Sequence, residues 1–82
     1  MYYVYILYSK ALDRYYIGYC KDVVSRLSKH LSNHIGYTGR AKDWEVVYQE
    51  PYEDKRSAMC REREIKGWKS RRMLERLMNN SV

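Results

Sequence analysis

Eighty-two residues with a formal net charge of +6 make one small domain with a thin core. There is no apolar run long enough to span a bilayer and no basic-then-apolar leader, so a soluble, cytoplasmic protein is expected. Two cysteines, Cys20 and Cys60, are too few for a disulfide scaffold and lack metal-ligand spacing, so reduced thiols are expected.

Tyr2 to Tyr8 is short, aromatic and β-branched, with apolar residues on both faces, and reads as a central strand. A short connection with Asp13 near its end leads to a second strand, Tyr15 to Tyr19, and an antiparallel hairpin is the economical pairing. That hairpin brings Tyr5 near Tyr16 and Gly18, with the register open. Gly18 interrupts the strand, as glycine does at a bulge or a close backbone approach. Asp22 is placed to cap a helix running to about Asn33, with Val23, Val24, Leu27 and Leu31 at helical spacing. Arg26 and His30 lie one turn apart on the flank of that stripe. Tyr15 to His30 thus gathers tyrosines, a glycine, an arginine and a histidine at a core rim, a plausible way to handle phosphate.

His34 to Lys42, with two glycines, reads as a loop, and Trp44 to Glu50 as a third strand stopped or edged by Pro51. Asp54 or Ser57 caps the next helix, expected to run to about Lys66 and to break at Gly67. Trp68 to Met78 forms a last helix, and 79–82 a frayed tail beyond a single domain of residues 1–78. The order strand, strand, helix, strand, helix, helix describes an α+β fold, a small mixed sheet with helices packed on it.

Two patterns carry chemistry. Residues 1–54 hold 7 basic and 7 acidic side chains and residues 55–82 hold 9 and 3, so the net charge comes from the C-terminal third. A basic helical end is a common footprint for nucleic acid, and equally a solvated face. Lys66, Lys69, Arg71 and Arg72, clustered around Gly67, are the phosphate contacts expected on charge alone. The second pattern is Glu62, which shares the helical face of Ala58, Met59 and Ile65. A carboxylate there is costly unless paired or bound to metal. It is either a structural acid paired with Arg26, Lys66 or a tyrosine hydroxyl, or the single carboxylate of a Mg²⁺ site.

Together these residues resemble the GIY-YIG nucleases. Tyr3-Val4-Tyr5-Ile6 followed by Tyr16-Ile17-Gly18 looks like the family's paired signature, with Val4-Tyr5-Ile6 standing where Gly-Ile-Tyr is usual. Arg26 and His30, the loop Tyr37-Thr38-Gly39-Arg40 and the segment Arg61 to Trp68 are similar to features of the small stand-alone bacterial members. The resemblance implies a three-stranded antiparallel sheet flanked by helices and cleavage of phosphodiester bonds with one divalent metal ion, Mg²⁺ or Mn²⁺, on Glu62. It implies that Tyr16 activates the attacking water, Tyr5 positions water or phosphate, Arg26 stabilises phosphate charge and His30 assists proton transfer. Arg40 would join the nucleic-acid contacts. Neither Asn79 nor Asn80 is assigned to the asparagine that family members commonly carry late in the domain. The partner implied is nucleic acid, DNA first, with no membrane. A bare catalytic module is expected to bind weakly or to be targeted by a protein partner. The alternative is a nucleic-acid-binding module of the same fold that cuts weakly or not at all.

Overall fold

The computed structural model describes residues 1–32 and 41–79, with the backbone alone for 29–32. They form strands β1 (Tyr2–Ser9) and β2 (Arg14–Cys20), helix α1 (Val23–Ser32), strand β3 (Glu45–Tyr52), and helices α2 (Lys55–Trp68) and α3 (Arg71–Asn79). The expected loop from His34 lies largely outside the described residues.

The sheet order is β2-β1-β3, with β1 central as its two apolar faces require. Both pairings are antiparallel, so the sheet is not mixed; antiparallel strands suit the short hairpin between β1 and β2. Successive side chains of β1 point to opposite faces. Val4 and Ile6 enter one apolar layer with Ala58 and Ile65 of α2 and Leu74 of α3. Tyr5 and Leu7 enter the other with Cys20, Trp44, and Val23 and Leu27 of α1. Pro51 lies near the end of β3, an edge strand, where a missing ladder donor is tolerated.

Side-chain caps start each helix. Asp22 accepts from Ser25 N (3.2 Å), Asp54 from Ser57 N (3.1 Å), and Ser70 Oγ from Met73 N (3.3 Å). The break expected at Gly67 falls two residues later. α2 continues through Gly67 to Trp68, and Lys69 takes the left-handed turn at φ 49°. Trp68 packs on the first apolar layer, and Ser70 caps the next helix, so the reversal belongs at Lys69.

Two polar ties fix the helices to the sheet. Between β3 and α2, Glu50 accepts two bonds from Arg61 (3.0 and 3.2 Å), one from Tyr52 (2.7 Å) and one from Tyr48. Burial alone would raise the Glu50 carboxyl, but these donors outweigh it and hold it below the usual range. Burial and Glu50 in turn push the neighbouring phenols up against the opposing pull of Arg61, Tyr52 to about 12, while Glu50 raises the Arg61 guanidinium. Between the β1–β2 turn and α3, Arg71 grips Asp13 at 2.6 and 3.0 Å, while Tyr8 donates to Asp13 at 2.7 Å.

The second tie has a pH signature. Arg71 first, then Tyr8, lower the Asp13 carboxyl from its ordinary 3.8 to about 2. A depressed folded value contributes stability above the unfolded value, lost as pH falls through the folded one. Asp13 sits at φ 52°, a conformation asparagine also adopts, so Asp13→Asn removes the charge with the backbone kept. In thermal melts the variant is expected to fall below wild type at pH 5–7, with the difference closing between about pH 4 and pH 2.

Candidate active site

The β1–β2 register places Tyr5 opposite Gly18 and Tyr16 opposite Leu7. Tyr5 and Tyr16 therefore share a sheet face as diagonal neighbours, their ring centroids 6.4 Å apart at 35°. Gly18 is the local requirement of this arrangement. A Cβ built there would lie 2.6 Å from the Tyr5 hydroxyl oxygen and 2.8 Å from Cζ, so only glycine lets the central-strand phenol reach the edge strand.

Arg26 of α1 and Glu62 of α2 complete the group. Tyr5, Tyr16, Gly18, Arg26 and Glu62 line one cleft of about 500 Å³ at the β2 edge, together with Lys21 and Lys55. Glu62 is the one acid lining it among the described residues. Three cations and one carboxylate make the cleft positive, as a polyanion requires. Burial first, and then the neighbouring Tyr16, push the Tyr5 phenol well up, which favours its protonated form. Burial likewise raises the Cys20 thiol, which favours the protonated form.

The Glu62 side chain is 16% exposed, and Lys66 Nζ lies 3.7 Å from its Oε2. Of the partners open to it, this pair with Lys66 is an ion pair present. Lys66 Nζ also lies 6.0 Å from the Tyr16 ring centroid. Among the described residues, no three His, Cys, Asp or Glu side chains gather into a cage. One carboxylate in a wet cleft fits a hard divalent cation that keeps most of its waters and completes its shell with substrate oxygens. It does not suit a closed structural zinc site.

The remaining expected residues are elsewhere. The His30 side chain and Arg40 lie outside the described residues. Lys69 and Arg71 line a neighbouring hollow and Arg72 is exposed on α3. Arg71 is engaged by Asp13, Glu75 (3.3 Å) and the Tyr15 ring (5.2 Å). Tyr2 and Lys55 line the cleft without having been singled out. A signal for Lys55 was present: it precedes Glu62 by seven residues, two helical turns on one face.

Comparison with known proteins gives the class. Residues 1–76 match the GIY-YIG catalytic domain, and the chain belongs to that family. This is a nuclease superfamily whose members generally use a divalent metal ion. The chain is similar to the UPF0213 proteins of Staphylococcus aureus strains Mu3 and Mu50, each 42% identical over 60 residues, covering 72% of this chain and 73% of the relative. It is also similar to the solution NMR structure of the UPF0213 protein BH0048 from Bacillus halodurans. That match has a TM-score of 0.62 and 35% identity, and covers 99% of this chain and 86% of the other. Among the described residues, no helix is long and apolar enough to cross a membrane.

Proposed function

We propose that this chain is an endonuclease that hydrolyses phosphodiester bonds in nucleic acid, DNA first, with Glu62 holding one divalent metal ion, Mg²⁺ or Mn²⁺. The supporting observation is the meeting of Tyr5, Tyr16, Arg26 and Glu62, from β1, β2, α1 and α2, in one positive cleft. When bound, the metal supplies Lewis-acid stabilisation of charge on the phosphate and the leaving oxygen. Arg26 holds the non-bridging oxygens, for which a planar guanidinium is suited. Tyr5 donates its hydroxyl to phosphate or water. Tyr16 aligns the attacking water and, as the phenolate left once its own proton has passed to solvent, takes up the water's proton, with Lys21, Arg26 and Lys66 as the positive charges around it. His30 assists proton transfer. Lys66, Lys69, Arg72 and Arg40 contact backbone phosphates, whereas Arg71 chiefly holds α3 to the β1–β2 turn.

One observation favours a second reading, a binding module that does not cut: the Lys66 ammonium already stands beside Glu62. A cleavage panel separates the two. Labelled duplex, branched and single-stranded DNA and RNA are incubated with the protein and Mg²⁺, Mn²⁺ or EDTA. Cutting of at least one substrate with metal and none in EDTA is expected. Binding without cutting across the panel would replace the nuclease reading with the binding module.

A further inference from the structure

A second hollow, of about 260 Å³, lies beside the cleft along the same edge strand. Tyr15 and Ile17 of β2, Ile65 of α2 and Leu74 of α3 give it an apolar floor. Arg14, Lys66 and Lys69 stand around it. The acid beside them, Asp13, is already bound by Arg71, so the rim keeps a positive balance. Lys66, which lines the hollow, lies 3.7 Å from Glu62, which lines the cleft, so this ion pair stands between the two depressions.

We propose that this hollow receives the base of an unpaired nucleotide whose neighbour in the same strand has its phosphate in the cleft. The phosphate of the hollow's own nucleotide is met by Arg14 and Lys69. This rests on the nuclease reading of the cleft and names the class of substrate: single-stranded or locally opened nucleic acid.

Chemistry, size and position support it. The apolar floor under a cationic rim matches a base joined to a phosphate, with the contact left to Ile17, Ile65 and Leu74 because the Tyr15 ring already packs against Tyr8 (4.9 Å) and Arg71 (5.2 Å). A volume of about 260 Å³ falls below the roughly 300–1,000 Å³ of sites that enclose whole small molecules, and suits one ring of a polymer. Tyr15 in the hollow and Tyr16 in the cleft are consecutive on β2 and point to opposite faces, so one nucleic-acid strand reaches both sites by passing round this edge of the sheet. A base inside a duplex is paired and stacked and must be extruded before a pocket can take it.

The test is a binding measurement in EDTA, where cutting does not intervene. Labelled hexathymidylate and the same strand bearing abasic units are titrated into the full chain by fluorescence polarisation. The methyl signals of Ile17, Ile65 and Leu74 are followed by NMR, with thymidine monophosphate as a third probe. The base-bearing strand is expected to bind about tenfold more tightly than the abasic strand and to shift the three methyl signals. Replacing Arg14 and Lys69 together with alanine is expected to weaken it about tenfold and lower its salt dependence by about two ions. Equal affinity for the two strands, binding that leaves the methyl signals in place, or no binding would each overturn the proposal. Equal methyl shifts with the monophosphate would assign the hollow to a free nucleotide instead and overturn the strand assignment. The nuclease reading is judged separately, by metal-dependent cutting, and survives any of these failures.

Discussion

Glu62→Gln is expected to reduce metal-dependent cutting by about 10³-fold or more while moving the melting temperature by no more than about 4 °C. The two halves of this result answer different questions. If Glu62 is the metal-holding carboxylate, no other acid lining the described cleft can take its place. Its ion pair with Lys66 is a long i,i+4 contact to a side chain that is 50% exposed, so breaking it costs about 0.5 kcal/mol at most. A structural acid whose pairing holds the core together would instead cost about 3 kcal/mol or more when neutralised. Mn²⁺ binding followed by electron paramagnetic resonance, on folded wild type and variant, gives a readout free of substrate. Loss of fold in the variant would support the structural role, and unchanged cutting would remove Glu62 from the chemistry.

Gly18→Ala should be the most damaging small substitution in the sheet. The added methyl would overlap the Tyr5 ring end at 2.6–2.8 Å, and Tyr5, 2% exposed, can give way only by disturbing the residues packed around it. Overpacking of this kind costs about 2 kcal/mol, roughly 10 °C in a domain of this size. The Tyr5 hydroxyl must also shift relative to Tyr16, so the surviving folded protein is expected to cut about 10²-fold more slowly. Gly67→Ala is the internal control. A Cβ at Gly67 meets nothing within 4 Å, and the residue lies in α2, so alanine there should stabilise by about 0.5–1 kcal/mol. Equal effects at the two positions would mean that contact with Tyr5 is not what Gly18 serves.

Much of this architecture is legible from local pattern. Strand alternation, the Asp22 and Asp54 caps and the two-sided apolar character of β1 each depend on residues close in sequence, and the element order follows from them. The helical period was also enough to place Glu62 on the face of Ala58, Met59 and Ile65. What stayed illegible is non-local. The register that pairs Tyr5 with Gly18 depends on the whole hairpin. Arg61 looked like one more charge in a basic helix, but its partner Glu50 is eleven residues away on β3. Arg71 looked available for phosphate because Asp13 is 58 residues distant in sequence. Gly67 looked like a helix end because glycine usually ends helices, whereas the packing of Trp68 and the Ser70 cap decide the matter.

The alternation of β1 has one more consequence. Its consecutive residues Val4, Tyr5, Ile6 and Leu7 enter opposite layers, one holding Trp68 and the other the deeply buried Trp44. Neither layer can open without disturbing the strand the other rests on, so the two halves form a single cooperative unit rather than separate foldons. The two indoles are built-in reporters, one for each side of that unit. The phenol of Tyr5 is borne by the strand on which both sides depend, so its amides should exchange with solvent only when the whole domain unfolds.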